Sequence, residues 1–389
     1  MIALANGKIV TPETTVEGRV LLIEKDRIVG IADDAGSAEH VINAGGGYIV
    51  PGFIDVHSDK IEQVIQPRPT TQMDFELALK ECERELLQVG ITTMYHAIAL
   101  YKDAFFGESP LRTRENMCKL ANLISNIHTR AHLIHHRVHL RIEIDNMEAF
   151  DIAKAMIEEK LVHAISFTDH TPGQGQYRNL EIYAHTITKY RGKEVVSMGI
   201  DRILEYHQNK ETLSFEQLKE LADLAHAAGI AVSSHDDDTE EKLELNREIG
   251  VDISEFPITM DTAKAAGRMG FFTVAGAPNI LLGGSHSGNM SAAEAIAEDC
   301  VDILCSDYYP PAMLHGAFMM HLKHGFPLHE MINKLTLNPA RALKIAQEYG
   351  SVEAGKKADL LIVQVIDGYP GITHAFVDGA GTSVIQYRR

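Results

Sequence analysis

The sequence predicts an α/β fold, a (β/α)8 TIM barrel accompanied by a small β-sandwich that both chain ends build together. Between residues 51 and 349, eight mostly apolar segments alternate with helical segments. Short strand-like segments separated by turn residues occupy residues 1–50 and 350–389. The length of 389 residues accommodates one barrel of about 250 residues and an additional module.

The terminal segments carry turn signals between short apolar runs. Asn6-Gly7 separates two such runs and predicts a hairpin turn, and Lys25-Asp26 predicts another between two longer strands. Pro51-Gly52 marks the exit into the barrel. Because strands return from Ala358 onwards, we expect head and tail to share one core that neither could build alone.

The barrel strands are read from eight apolar runs, as expected for parallel strands that are buried on both faces. They are Ile54–Asp59, Ile91–Ala97, Ala131–Ile144, Val162–Asp169, Ile230–His235, Val251–Phe256, Phe271–Ala275 and Val301–Asp307. The helices between them have start signals, such as Asp74 as an N-cap and Ser214 with Gln217 as a capping box. Eight such units favour a closed barrel over a doubly wound sheet.

Composition restricts the partners and the compartment. The chain has 36 basic and 54 acidic residues, a net charge of −18, which disfavours nucleic acid or an anionic membrane as a partner. An anionic substrate would therefore need a local source of positive charge. No signal peptide or apolar run of membrane-spanning length is found, and the four cysteines form no Cys-x-x-Cys pair. We expect a cytoplasmic enzyme with a small-molecule substrate; homo-oligomerisation stays open.

Potential metal ligands follow the predicted strands, where barrel enzymes place their catalytic groups. His57 and Asp59 lie two residues apart and so point the same way from one strand end. Two divalent ions need three to four ligands each, one of them bridging, and zinc suits such ligands, although manganese or iron would fit. We expect the ligands to be His57, Asp59, Glu143, His170, His235 and Asp307.

Within this set, two carboxylates have additional roles. Glu143 can bridge two ions, and Asp307 is the expected catalytic residue, which orients or deprotonates the attacking water. Neighbouring residues leave alternatives open. His139 alternates in phase with Glu143 and could replace or support it, and Glu255 could bind the far nitrogen of a histidine ligand instead of metal. The Asp236–Asp238 run is most simply a solvated helix start.

A glycine-rich loop, Gly283–Asn289, exposes backbone N–H groups that can cradle phosphate oxygens; the alternative is a flexible turn before a helix near Ser291. A second glycine-rich loop follows His170. The candidate cationic partners on or near the two loops are Arg178, Lys60, Arg68 and Lys102. The expected substrate-binding residues are Arg178, Gly284, Ser285, His286, Ser287, Asn289 and Tyr308.

The motif Pro51–Asp59 and the tail segments Thr336–Leu343 and Gly350–Leu360 resemble the amidohydrolase superfamily, and the resemblance spans the whole chain. It implies an amidohydrolase-type barrel with a binuclear metal centre. Asp59 stands where a second histidine is usual. No lysine stands where some members have a bridging carboxylated lysine, and Glu143 takes that place.

Further segments narrow the resemblance to members that work in phosphonate catabolism, in the carbon–phosphorus lyase pathway. These segments are 136–143, 169–176, 234–239, 276–279, 283–289 and 306–310. The resemblance implies hydrolysis of α-D-ribose 1-methylphosphonate 5-triphosphate to the 5-phosphate and diphosphate. Two other interpretations are an amidohydrolase that cleaves a C–N bond in a cyclic amide or N-acyl sugar, and a catalytically inactive scaffold. The glycine-rich loops argue against the first, and the complete ligand set argues against the second.

Overall fold

The computed structural model describes residues 1–100, 111–170, 175, 210–284 and 289–388. In chain order, its strands are β1 (Ile2–Ala5), β2 (Lys8–Val10), β3 (Thr15–Val16), β4 (Val20–Glu24), β5 (Arg27–Ala32), β6 (His40–Asn43), β7 (Tyr48–Pro51), β8 (Phe53–Ser58), β9 (Ile91–Leu100), β10 (His135–Glu143), β11 (Ala164–Thr168), β12 (Ala231–His235), β13 (Ile253–Glu255), β14 (Phe272–Gly276), β15 (Ile303–Cys305), β16 (Leu360–Ile366), β17 (Tyr369–Val377) and β18 (Ala380–Val384). Its helices are α1 (Lys60–Ile65), α2 (Phe75–Gln88), α3 (Arg114–Asn126), α4 (Ala149–Glu158), α5 (Phe215–Ala227), α6 (Glu240–Ile249), α7 (Met260–Arg268), α8 (Ala277–Leu282), α9 (Ala292–Ala297), α10 (Pro311–His324), α11 (Leu328–Asn333) and α12 (Leu337–Ala342).

Strands β8 to β15 form one sheet in which each strand pairs in parallel with the next. The sheet closes on itself, because Ser58 in β8 and Asp307 just after β15 form a parallel bridge. Each predicted barrel strand is therefore present, in the predicted order. The (β/α)8 barrel is confirmed, and it places the C-terminal ends of all eight strands around one mouth.

The barrel strands are buried on both faces, and β9 is buried at all ten positions. Most of them are largely apolar, but β10 is rich in His and Arg and ends in Glu143. Helices cover the outer face, and their predicted start signals are confirmed. The Asp74 side chain accepts the N–H of Leu77 at the start of α2. Ser214 and Gln217 form a capping box at the start of α5.

The chain ends build two sheets, of order β5-β4-β1-β6 and β18-β17-β16-β7-β2-β3. In the second sheet β16 pairs antiparallel with β7, so that Leu360 lies opposite Pro51. One apolar cluster joins the two sheets and includes Leu4, Leu21 and Phe376. Head and tail thus share a core, which confirms the predicted β-sandwich; the domain limits at residues 50 and 350 stay a prediction.

The hairpin predicted at Asn6-Gly7 is wrong. Strand β1 pairs with β4 and β6, whereas β2 pairs with β3 and β7, so the chain passes here from one sheet to the other. Glycine is favoured at position 7, because a Cβ there would lie 2.9 Å from the Cβ of Ala44 and 2.8 Å from the Cδ1 of Ile49. The turn at Lys25-Asp26 is confirmed, since it joins β4 to its antiparallel neighbour β5.

Two general features of the described residues bear on the expectations from composition. None of their helices is long and apolar enough to cross a membrane. The four cysteines, Cys82, Cys118, Cys300 and Cys305, are free thiols.

Candidate active site

The C-terminal ends of the barrel strands surround a cavity of about 190 Å³. His57, Asp59, His235 and Asp307, four of the six predicted ligands, line it. The other two, Glu143 and His170, lie beside it: Glu143 ends β10, and the imidazole of His170 lies 6.4 Å from that of His235 between ring centres. The structure therefore brings the predicted ligands to one mouth of the barrel; their role as ligands stays a proposal.

His57 is held by Glu255, which ends β13. The Nδ1 of His57 lies 2.8 Å from the Oε2 of Glu255, and both side chains are buried. Burial alone would lower the pKa of His57, but the hydrogen bond to Glu255 and its charge outweigh it and raise that pKa. Glu255 thus contacts one ring nitrogen of a candidate ligand, which is one of the two roles that the sequence left open.

His139 is a further candidate ligand. Its Nδ1 donates to the carbonyl of Val56 at 2.9 Å, and its Nε2 is buried without a hydrogen-bond partner, 3.7 Å from the Oε1 of Glu255. Burial lowers the pKa of His139 to about 4, so Nε2 carries a free electron pair near neutral pH. Within the described residues, His57, His139 and Glu255 each bring one ligand atom to within 4.8 Å of the others.

Glu143 and His170 form a close pair at the end of the third and fourth barrel strands. The Nδ1 of His170 lies 2.9 Å from the Oε2 of Glu143. Burial alone would raise the pKa of Glu143, but the charge and hydrogen bond of His170 hold it below its usual value. Glu143 is therefore ionised, as a bridging carboxylate must be.

His235 has the same arrangement as His139. Its Nδ1 lies 2.7 Å from the Oδ2 of Asp236, and its Nε2 is buried without a hydrogen-bond partner. The imidazole centres of His57 and His235 are 5.4 Å apart, and those of His57 and His139 are 5.5 Å apart. Unsatisfied buried imidazole nitrogens are costly, and bound divalent cations would satisfy the Nε2 atoms of His139 and His235. The donor set of imidazoles and carboxylates fits such an ion.

The interpretation of Asp236–Asp238 as a solvated helix start is wrong for its first two residues. Asp236 and Asp237 are buried, and α6 begins only at Glu240 with Thr239 as its N-cap. Asp236 has a left-handed φ of 56°, which turns the chain after β12. Asp237 accepts hydrogen bonds from the side chains of Ser234, Ser254 and Asn246. These partners come from other elements and replace the solvent.

Left-handed residues recur at this mouth. Asp236, Phe256 and Asp307 follow β12, β13 and β15, have φ of 56° to 57°, and line the cavity. Such conformations cost energy in non-glycine residues and cluster at functional sites.

Burial raises the pKa of Asp307 above its ordinary value, which suits a carboxylate that accepts a proton during catalysis.

Arg141 supplies a cation that the sequence analysis missed. It lines the cavity with only 8% of the residue exposed, its Nη1 lies 3.5 Å from the Oδ1 of Asp59, and its Nε has no hydrogen-bond partner. Its spacing on β10 could have identified it, because it lies two residues before Glu143 and therefore on the same face of the strand. Lys60, one of the cations that the sequence did suggest, instead pairs with Glu85 at 2.7 Å. Lys102 and Arg178, two others, lie outside the described residues.

The predicted substrate-binding residues are only partly within the described chain. Asn289 and Tyr308 line the cavity. Gly284 is described but does not line it; its N–H donates to the carbonyl of Asn279 at 3.0 Å. Arg178, Ser285, His286 and Ser287 lie outside the described residues. The phosphate-binding role of the loop therefore stays a prediction.

Comparisons with known proteins agree with this geometry. The amidohydrolase family profile matches residues 48–385. The α-D-ribose 1-methylphosphonate 5-triphosphate diphosphatase of Escherichia coli (strain K12) is 32% identical over 381 residues, which cover 96% of this chain and 98% of that protein. Imidazolonepropionase of Porphyromonas gingivalis is 26% identical over 178 residues, 44% of this chain and 42% of that protein.

Solved structures share the fold at low sequence identity. N-acetylglucosamine-6-phosphate deacetylase from Pasteurella multocida has a TM-score of 0.65 and 13% identity, with 97% of this chain and 98% of that chain covered. L-hydantoinase from Arthrobacter aurescens has a TM-score of 0.64 and 13% identity, with 98% and 95% covered. The family match over residues 48–385 agrees with the barrel fold. The chain belongs to the amidohydrolase family and is a hydrolytic enzyme.

Proposed function

We propose that this hydrolase cleaves the α–β phosphoanhydride of α-D-ribose 1-methylphosphonate 5-triphosphate, releasing diphosphate and leaving the 5-phosphate. The observation that carries the proposal is the similarity to the Escherichia coli diphosphatase, because this relative names a substrate and is 32% identical over 96% of this chain and 98% of its own length. The shared fold alone would be compatible with many chemistries, including C–N bond hydrolysis.

The positive charge at the mouth of the barrel is consistent with a triphosphate substrate. A triphosphate needs cationic partners, and the chain as a whole is strongly acidic, with a net charge of −18. Arg141 places a permanent positive charge in the cavity wall, and its guanidinium has donors that fit phosphate oxygens. Asn289 and Tyr308 add polar groups on the same wall.

His57, Asp59, Glu143, His170, His235 and Asp307 would hold two divalent cations, with His139 as an additional ligand. Bound there, the cations would supply Lewis acidity toward phosphate oxygens and lower the pKa of water. Glu255 and Asp236 orient the imidazoles of His57 and His235 through their Nδ1 atoms. The carboxylate of Asp307, whose pKa is raised by burial, would accept the proton of the attacking water.

The test is release of diphosphate by the purified full chain loaded with zinc, manganese or iron. The panel contains the proposed triphosphate, a nucleoside triphosphate, a cyclic amide and an N-acetylated sugar phosphate. We expect diphosphate from the first, and we expect Asp307→Asn to lower kcat by at least about 100-fold. Asp261→Asn, at an exposed position in α7, is the matched control.

Two outcomes would contradict the proposal. Hydrolysis of an amide without release of diphosphate would identify an enzyme for C–N bonds. Absence of metal after purification with ample zinc, together with no turnover of any compound, would identify a scaffold. Near wild-type activity of Asp307→Asn would remove Asp307 from the catalytic role while leaving the substrate assignment in place.

A further inference from the structure

Three potential metal ligands meet at the end of the barrel opposite the candidate active site. His135 begins β10, whereas Glu143 ends that strand at the catalytic mouth. The Nε2 of His135 lies 3.0 Å from the Oδ2 of Asp359, just before β16, and 3.9 Å from the Oδ2 of Asp378, just after β17. The three side chains therefore connect the base of the barrel to the β-sandwich. They form the second group of clustered ligand atoms among the described residues.

Two of these ligand atoms are buried and unsatisfied. The Nε2 of His135 and the Oδ2 of Asp359 lack a hydrogen-bond partner, although they lie close to each other. The residues are only 6% and 7% exposed. A buried polar atom without a partner costs free energy, and most such atoms in folded proteins have one. A cation placed between the two atoms would satisfy both at once.

The surrounding contacts leave one oxygen of each carboxylate facing His135. The Oδ1 of Asp359 accepts the backbone N–H of Asp378 at 2.8 Å. The Oδ1 of Asp378 accepts from the Nζ of Lys357 at 2.8 Å, and Lys357 also contacts Asp26 at 2.9 Å. Each Oδ1 is thus occupied by the protein, and each Oδ2 is oriented toward the imidazole.

The local charge favours a divalent cation. Asp26, Asp359 and Asp378 supply three carboxylates to this network, and Lys357 is the ammonium group that contacts two of them. The carboxylates therefore outnumber this ammonium group, and an ion of charge +2 would be attracted to the excess of negative charge. Lys357 binds Asp26 and the Oδ1 of Asp378, whereas the Oδ2 of Asp359 has no hydrogen-bond partner.

We infer that His135, Asp359 and Asp378 bind a structural divalent cation, zinc by the nature of its ligands, with water in the fourth position. In tetrahedral zinc sites with ligands at about 2.1 Å, ligand atoms are separated by roughly 3.4 Å. The observed separations of 3.0 and 3.9 Å lie on either side of this value, so shifts of a few tenths of an ångström complete the site. Asp378 is 39% exposed in its side chain and gives the ion a path from solvent.

The ion would join the barrel to the β-sandwich, and its binding does not depend on the substrate of the catalytic mouth. The experiment separates the two metal sites with the double variant H57A/H235A, which removes two ligands at the mouth. Zinc per chain and zinc affinity are measured by equilibrium titration of the full chain with elemental analysis. The unfolding temperature is recorded with zinc and with a chelator.

In the double variant we expect one zinc to remain bound per chain and to raise the unfolding temperature. Adding His135→Gln to the double variant should lower the affinity for this zinc by at least about tenfold. Zinc should then no longer raise the unfolding temperature. His132→Gln, which alters a nearby histidine outside the group, is the matched control and should change neither. In the otherwise unmodified chain, His135→Gln should remove one zinc while diphosphate release is retained.

An unchanged zinc count and affinity in His135→Gln would overturn the inference and leave an ordinary His–Asp contact. If that variant does not fold, Asp378→Asn decides, because its partly exposed position tolerates replacement. Loss of all zinc in H57A/H235A would equally refute the site. None of these outcomes bears on the proposed diphosphatase activity, which is measured separately.

Discussion

The backbone of Asp307 is hydrogen-bonded to that of His57, although the two residues come from the last and first strands of the barrel. The N–H of Asp307 donates to the carbonyl of His57 at 3.1 Å, and the carbonyl of Asp307 accepts the N–H of Asp59 at 2.8 Å. The bonds that close the barrel therefore also fix the candidate proton acceptor beside two candidate ligands. A rigid backbone of this kind is what a preorganised site requires.

Replacement of Glu255 by Gln tests the orientation of His57. The charge of Glu255 raises the pKa of His57, and its Oε2 contacts Nδ1 at 2.8 Å. We expect Glu255→Gln to lower zinc affinity at the mouth and kcat by about 10- to 100-fold, because the imidazole loses its charged partner. Zinc titration and kcat are the measurements, and Glu248→Gln on the exposed side of α6 is the control. Unchanged zinc affinity would contradict a positioning role.

Replacement of Arg141 tests the source of positive charge for the substrate. We expect Arg141→Gln to raise KM for the triphosphate by about 10- to 100-fold, the effect of losing a charged hydrogen bond of about 1.5–3 kcal/mol. Arg141→Lys should retain part of the affinity, because it keeps the charge without the planar donor pair. Steady-state kinetics provide the values, and the unfolding temperature serves to exclude misfolding.

The control for this pair of variants is Arg130→Gln, which removes a surface pair with Glu76. Its KM should equal that of the unmodified chain. A KM that is insensitive to Arg141→Gln would mean that the guanidinium serves only to balance Asp59.

Gly52, between the β-sandwich and the first barrel strand, tests the packing at the entry to the barrel. A Cβ at this position would lie 2.1 Å from the Oγ1 of Thr92. We expect Gly52→Ala to destabilise the fold by about 1–3 kcal/mol through overpacking, and Thr92→Ala to rescue part of the loss. Thermal unfolding is the measurement.

The matched control is Gly267→Ala in α7, where a Cβ would meet no atom within 4 Å. It should leave stability unchanged or raise it by about 0.5–1 kcal/mol, because alanine is the better helix former. Equal unfolding temperatures for the two alanine variants would show that the entry is not tightly packed.

Protonation of His163 should lower the free energy of unfolding in mild acid. Burial lowers its pKa from 6.5 to about 3, and its Nδ1 accepts the N–H of Val138 at 3.1 Å, so the folded state holds it neutral. In the unfolded chain His163 takes up a proton near its ordinary pKa of 6.5, well before the folded protein does. The stability that neutral His163 contributes above pH 6.5 is therefore lost as the pH falls toward 3. His163→Asn, which keeps an acceptor, should reduce this slope by up to about 1 kcal/mol per pH unit.

Denaturant unfolding between pH 6.5 and pH 4 supplies the slope, with His40→Gln at an exposed position as the control. The same slope in both variants would mean that His163 does not contribute to acid sensitivity.

The sequence was sufficient for the barrel because its signals are local. Most barrel strands are largely apolar, and His57 and His235 lie at the ends of two of them, so strand order alone brings them together. Head and tail could be paired because each was too small to form a core. The hairpin predicted at Asn6-Gly7 was wrong because β1 and β2 pair with different distant strands. No local sequence pattern encodes that choice of partners.

The parts of the site that escaped prediction depend on tertiary partners. A run of three aspartates suggests solvent, yet Asp237 is buried because Ser254 and Asn246 from other elements donate to it. Arg141 lies inside a strand, where a charge usually indicates an exposed face; only the barrel mouth explains its burial. For Glu255 the sequence left two roles open, and its contact with the Nδ1 of His57 at 2.8 Å became visible only in the structure.

The antiparallel pairing of Pro51 with Leu360 has a consequence for synthesis of the chain. Strand β7 leads directly into the first barrel strand, but one of its edges stays uncovered until β16 has left the ribosome. An exposed strand edge invites pairing with other chains, and domains form from the N-terminus during translation. The nascent protein is therefore open to intermolecular strand exchange until this late segment arrives, and a chaperone that shields the edge would raise its yield.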